Sequence, residues 1–244
     1  MKLWHFYHAC AQENIEENVW FSIVDEHVNA LRSSGLASKL NKTYIGVIGN
    51  RNNAKKISKI FEGQDIKHEI CVVNDSGWEQ ETLSKLYEFS LNNDGYVLYA
   101  HTKGAFHQGA EKNLHRQTMN KYLIQKWSEN VDLLAKGVCA TGVFFLMGSP
   151  EKPFVTNKNE FVFSKTDSNI KNYRGFFAGN FWWCNLDLIK KMGYPSVENR
   201  IKAEAWMNNL YDSIDGDKYM VYDLFVNEFD CDAVARNIFG GTSN

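Results

Sequence analysis

Proline is scarce, three in 244 residues, and glycine is ordinary at 17, which excludes collagen-like and low-complexity polymers. Cysteine forms no pattern. Cys10, Cys71, Cys139, Cys184 and Cys231 are scattered, odd in number and never spaced C-x-x-C. That is neither a disulfide framework nor a zinc ribbon, and it fits a reducing compartment. No excess of one charge sign exists either: 27 basic against 29 acidic residues leave −2, so global charge does not draw the chain to nucleic acid or an acidic membrane. The longest apolar stretch, Val138 to Met147, is too short to span a bilayer. The opening MKLWHFYHACAQEN carries one lysine and an apolar run broken by His5 and His8, which fails as a signal peptide and reads as a first strand. Together these features predict a cytoplasmic protein with no transmembrane segment and no nucleic-acid partner.

Several catalytic signatures are missing as well. No Walker A sequence and no GxGxxG occurs, which weighs against P-loop and dinucleotide enzymes. No serine sits in GxSxG, and no H-x-E with C-x-x-C marks a zinc deaminase. One D-x-D, Asp230-Cys231-Asp232, lies near the C-terminal end.

What the chain does have is 44% hydrophobic and 14% aromatic residues, ample for a core. Area scaling for this mass allows about 70% of the chain's surface to be buried without covalent staples. No linker divides it, so one domain, 1–244, is expected, with a first half to residue 137 and a second from 138. In the first half, strand-like Leu3–Ala9, Tyr44–Gly49, Glu69–Val73 and Tyr96–Ala100 alternate with helical spacings. These are Trp20/Ile23/Val24/Val28/Leu31, Ala54/Ile57/Ile60/Phe61, Leu83/Leu86/Tyr87 and Met119/Tyr122/Leu123/Trp127. Such alternation predicts an α/β fold with a mostly parallel sheet flanked by helices. Ligands of such sheets sit beyond the carboxyl ends of the strands, at Gly49-Asn50-Arg51, Asn74-Asp75-Ser76-Gly77 and His101-Thr102-Lys103-Gly104. The second half has a different rhythm: strands at Ala140–Met147 and Phe176–Cys184 flank a polar excursion, Ser149–Arg174, that reads as a functional loop. Helices are expected at Asp187–Met192 and Arg200–Tyr211, and a mixed segment at Tyr219–Phe239.

Three segments carry candidate chemistry. In Gly95-Tyr-Val-Leu-Tyr-Ala-His101-Thr-Lys103-Gly a buried strand runs into a cationic turn, followed by His107, Lys112, His115 and Arg116. This is either a solvated turn and helix start or a diphosphate site. In Gly179-Asn180-Phe181-Trp182-Trp183 the adjacent tryptophans must point to opposite faces of a strand, so one of them is expected to line a cleft. Gly179-Asn180 would let a ligand approach the backbone and offer an amide to hydroxyls. Arg200 and Glu204 are i,i+4 neighbours that either pair or act. Asp75 either forms a turn or binds a ribose or base.

These segments resemble the glycosyltransferase-like proteins of bacterial surface-polysaccharide clusters and large DNA viruses. The resemblance spans Trp20 to Trp206. It rests on Trp20-Phe-Ser-Ile-Val-Asp-Glu-His27-Val28, Ser34-Gly-Leu36, Tyr44-Ile-Gly-Val47, Tyr99-Ala-His101-Thr-Lys103-Gly, Gly179-Asn-Phe-Trp-Trp183, and Arg200, Glu204 and Trp206. It implies a GT-A-like, Rossmann-like sheet with a mixed acceptor-side part. It also implies a hexosyltransferase-type activity that moves a sugar from a nucleotide-sugar donor to a saccharide or glycan acceptor. In that class a strand runs into a metal-binding D-x-D. Here Tyr96–Ala100 runs into His101-Thr102-Lys103, so no metal is expected to be required, with Mn²⁺ or Mg²⁺ at most assisting. The roles that follow are nucleoside binding at Gly49, Asn50 and Asp75, and diphosphate binding at His101, Lys103 and Arg116. Sugar binding, of donor or acceptor, falls to Asn180 and to Trp182 or Trp183, and Arg200 is a further substrate-binding candidate. Catalysis falls to His101 and to Glu204, which is the acceptor-activating base of an inverting enzyme or, in a retaining one, only orients the sugar. The competing reading is a non-catalytic nucleotide- or sugar-binding module.

Overall fold

The β-branched and aromatic runs of the first half form four parallel strands. They are β1 (Leu3–Cys10), β2 (Lys42–Ile48), β3 (His68–Asn74) and β4 (Tyr96–His101). A computed structural model describes residues 1–106, 109–149, 152–155, 160–164, 175–196, 206–209 and 218–223. Between the strands lie α1 (Glu17–Ser33), α2 (Arg51–Glu62) and α3 (Gln80–Ser90), each where its apolar spacing predicts a helix. Helix α1 turns out at Gly35, whose φ of +74° suits a residue without Cβ. The chain then continues through α4 (Ala110–Met119), a π-helical turn at Asn120–Gln125 and α5 (Trp127–Ala135).

The second half departs from its sequence reading in an orderly way. Each of the two strands expected there breaks in two. Ala140–Met147 becomes β5 (Ala140–Gly142) and β6 (Phe145–Ser149), bent at Phe144 with φ +58°. The polar excursion is not a plain loop: it holds β7 (Lys152–Val155) and β8 (Glu160–Ser164). Phe176–Cys184 becomes β9 (Gly175–Phe177) and β10 (Trp182–Asn185), bent at Gly179 and Asn180 with φ +90° and +52°. Helix α6 (Leu186–Met192) and strand β11 (Lys218–Asp223) follow. The helix expected at Arg200–Tyr211 lies outside the described residues except for a 3₁₀ turn at Trp206–Asn209. Of the Tyr219–Phe239 segment, only β11 is described.

The main sheet runs β3-β2-β1-β4-β10-β5-β11-β8, and β7-β6-β9 form a small antiparallel sheet. Pairings β3–β2, β2–β1, β1–β4 and β5–β11 are parallel, while β10 runs antiparallel to both its neighbours and β8 antiparallel to β11. The expected α/β architecture with a mostly parallel central sheet is therefore present. The sheet separates two cores. Tyr7, Ala9, Leu98 and Trp183 pack with α1, α2 and α5, whereas Phe6, Tyr99, Trp182, Leu83, Leu86, Leu186 and Ile189 fill the opposite face. From β1 the chain winds outward through β2 to β3, then crosses back through α3 to place β4 on the other side of β1. That reversal opens a crevice at the carboxyl ends of β1 and β4.

Candidate active site

The crevice holds a cavity of about 100 Å³. Its walls are His8 and Cys10 from the end of β1, Gly77, Trp78 and Glu79 leading into α3, the turn His101 to Phe106 after β4, and Lys112 on α4. A second, wider depression is lined by Gln12, Glu13, Asn14, Gly49, Asn50, Asp75 and Ser76 over the ends of β1, β2 and β3. The two abut along the chain, at Cys10 to Gln12 and at Ser76 to Gly77. His101 and Lys103 thus line one compartment, and Gly49, Asn50 and Asp75 share the other.

Within the second depression the side chains are not equally available. Asn50 caps α2, its side-chain oxygen accepting from the Asn53 amide at 3.0 Å, and its NH₂ group donates one hydrogen to Glu13 Oε1 at 3.4 Å, which leaves the second N–H for a ligand. At Gly49, φ is +153° and a Cβ would run into the Ala11 carbonyl, so the glycine serves the packing of β2's end against β1's. Asp75 is exposed.

Sequence reasoning missed Glu79, the acidic side chain in the wall of the smaller cavity. Its carboxylate is 8% exposed and held from two sides. The Tyr99 hydroxyl donates to Oε2 at 3.0 Å, and the Asn180 amide donates to the same oxygen at 2.7 Å. The indole N–H of Trp182 donates to Asn180 Oδ1 at 2.7 Å, and because indole can only donate, this fixes which way the Asn180 amide faces. Oε1 lies 3.8 Å from His101 Nδ1. The other ring nitrogen of His101 is 2.6 Å from the Gly179 carbonyl, to which it donates. The one sequence signal for Glu79 was its place just after the Asn74–Gly77 turn.

Three expected ligand contacts are instead structural. Asn180 is buried and braces Glu79. Trp182 and Trp183 do point to opposite faces, but neither lines a cleft, because β10 is an interior strand covered on both sides. Trp182 stacks on Tyr99, and the Trp183 indole donates to the Leu123 carbonyl at 2.8 Å. Nor does Gly179 admit a ligand: a Cβ there would press on His115 and Met119. Arg116 is also withdrawn from the cavity. Its guanidinium grips Glu26 through Nε and Nη2, the shortest contact being 2.8 Å, and Nη1 donates to the Lys103 carbonyl at 3.0 Å. It holds the cationic turn in place rather than the anion itself. Arg200, Glu204 and the D-x-D at Asp230–Asp232 lie outside the described residues.

The electrostatics are local. Burial, then the positive charges of Lys103 and Lys112, push the His115 imidazole down to about 3, so the fields of both lysines reach one buried point behind the cavity. His8 is pushed down to about 4 by burial, against the pull of Glu79. Among the described residues no group of three or more His, Cys, Asp or Glu side chains could hold a metal ion. Around the end of β4 stand Glu79, which accepts two hydrogen bonds on Oε2, His101, which donates to the Gly179 carbonyl, and the ammonium groups of Lys103 and Lys112.

A family model described as Domain of unknown function (DUF8361) matches residues 6–146, more than half of the chain. The chain belongs to this family. The DUF8361 span contains every residue that lines the two compartments and ends before Gly179 to Trp183. No curated protein matches the sequence. Among solved structures, the chain is similar to 4-diphosphocytidyl-2C-methyl-D-erythritol synthase from Anaerococcus prevotii DSM 20548, with 10% identity over 98% of this chain and 95% of that one and a TM-score of 0.44. Another 4-diphosphocytidyl-2C-methyl-D-erythritol synthase structure has 10% identity over 84% and 83% of the two chains and a TM-score of 0.39. No helix of the described residues is long and apolar enough to cross a membrane.

Proposed function

We propose that the protein is a nucleotide-sugar-dependent glycosyltransferase, with a saccharide or glycan as acceptor. The observation that carries this reading is a pair of unlike compartments at the carboxyl ends of the strands, one at the β1/β4 reversal and one over β1 to β3. One has Asp75 and the Asn50 amide for a nucleoside, and the other has Lys103, Lys112 and His101 around a buried carboxylate. A nucleoside diphosphate spans such a pair, base and ribose in the first and diphosphate in the second. Lys103 and Lys112 supply the positive charge that a metal supplies in enzymes with D-x-D, and they stabilise the departing diphosphate. In an inverting transfer the acceptor hydroxyl gives its proton to a carboxylate as its oxygen bonds the anomeric carbon. The bond from that carbon to the diphosphate oxygen breaks, and its electron pair leaves with the nucleoside diphosphate. On this reading Glu79, a wall residue whose Oε1 lies beside His101, takes that proton, a role the resemblance gives to Glu204.

Purified protein incubated with a panel of nucleotide sugars and glycan acceptors tests the reading. Release of nucleoside diphosphate that depends on an acceptor supports it. Donor binding without release, hydrolysis or transfer would favour a non-catalytic binding module.

A further inference from the structure

Trp78 and Phe106 are large aromatic side chains that the fold leaves 43% and 39% exposed, although it fully buries Trp20, Trp182 and Trp183. They come from different segments, Trp78 from the approach to α3 and Phe106 from the turn after β4, yet both stand in the wall of the cavity that holds Glu79. Their ring centroids are 6.4 Å apart with planes inclined at 47°. Single exposed aromatics are common, but a touching pair at the rim of a polar cavity marks a binding surface.

The geometry selects the ligand. Inserting a flat base between two rings needs them nearly parallel and about 7 Å apart, twice a carbon contact distance. Rings that lean on each other at 47° leave no such slot and offer one joint outer face. A pyranose matches a single face: its axial C–H groups lie against aromatic carbon while its hydroxyls project sideways to polar partners. Those partners are at hand in Glu79 and Lys112. Both rings line the cavity with Glu79, and neither lines the compartment of Asp75.

We infer that Trp78 and Phe106 form the platform for the acceptor saccharide, and that a pyranose ring seated there turns a hydroxyl toward Glu79 Oε1. The inference rests on the transferase reading but has its own readout. In the transfer assay, Trp78→Ala and Phe106→Ala raise the acceptor KM by about tenfold or more and leave the donor KM unchanged, while Trp78→Phe stays near wild type. A donor KM that rises in step would mean the rings stack on the base, and unchanged constants would mean they bind nothing; either overturns the inference. The second readout needs no nucleotide. Methyl β-D-glucopyranoside, methyl β-D-galactopyranoside and diacetylchitobiose are titrated against the wild-type chain and Phe106→Ala, following acrylamide quenching of the exposed tryptophan. Protection by at least one sugar, weakened in Phe106→Ala, supports the platform; absence of protection by all three contradicts it. If no nucleotide sugar binds the wild-type protein, the transferase reading falls and this quenching result still decides the platform.

Discussion

The Asn180 amide donates to Glu79 Oε2 at 2.7 Å across 101 residues of chain, tying the bend between β9 and β10 to the start of α3. It makes the cavity's carboxylate a fixed feature of the fold instead of a mobile surface acid. Asn180 itself adopts φ +52°, a conformation asparagine tolerates better than most residues. Asn180→Ala removes one of two donors from a buried carboxylate and is expected to lower stability by about 1–3 kcal/mol. Asn180→Asp sets a second carboxylate against the first and is expected to cost more. Urea denaturation of the three proteins checks both the drop and its order.

Arg116 tests whether the cationic turn must be held. Its guanidinium joins Glu26 to the Lys103 carbonyl and does not line the cavity. Arg116→Ala is expected to destabilise the fold by about 1–3 kcal/mol, limited because Glu26 is one-third exposed and can rehydrate. Below the melting transition it is also expected to weaken nucleotide-sugar binding. Calorimetry at low temperature separates the two effects: unchanged affinity in a folded Arg116→Ala protein would remove its positioning role.

Metal dependence follows from the charges at the end of β4. On the proposed reading Lys103 and Lys112 face the diphosphate, so transfer is expected to persist after dialysis against EDTA and to gain less than about tenfold from Mn²⁺. Turnover abolished by EDTA and restored by Mn²⁺ would contradict this.

Acid should unfold the protein through its buried histidines. Burial lowers His5 well below its usual value, His8 to about 4, and His27 and His115 to about 3. The unfolded chain protonates these rings near pH 6.5, and the native protein does not. Between those values the unfolded state binds more protons, so stability is full above about pH 6.5 and declines as pH falls toward 3. Each ring adds a slope of about 1.4 kcal/mol per pH unit inside its own window. Urea midpoints measured from pH 7.5 to 4.5 should fall steeply below 6.5; a flat profile would contradict the burial of these rings.

The sequence disclosed the parallel half well because each strand and helix there is a local pattern: β-branched runs end in polar turns and apolar faces recur at helical spacing. His101 and Lys103 were legible for the same reason, being the polar end of a buried strand. The second half was not, since its strands bend at Phe144 and at Gly179-Asn180 and change sheets there. Nothing local announces that β10 slots between β4 and β5, and that insertion is what buries both Trp182 and Trp183. Glu79 was hidden in another way. An acid before a helix is ordinarily a dipole partner, and only the distant Tyr99 and Asn180 reveal it as a held carboxylate.

In the proposed function, Lys103 on the β4 turn and Lys112 on α4 grip the diphosphate of a nucleotide sugar. The most direct test of this grip is calorimetric titration of UDP-glucose, GDP-mannose and the matching nucleoside diphosphates into the wild-type chain and into Lys103→Ala/Lys112→Ala, at two salt concentrations. At least one nucleotide sugar is expected to bind the wild type, and the double variant is expected to lose about a hundredfold in affinity and most of its salt dependence. Equal affinity in the two proteins, or no binding of any nucleotide to the wild type, would contradict it.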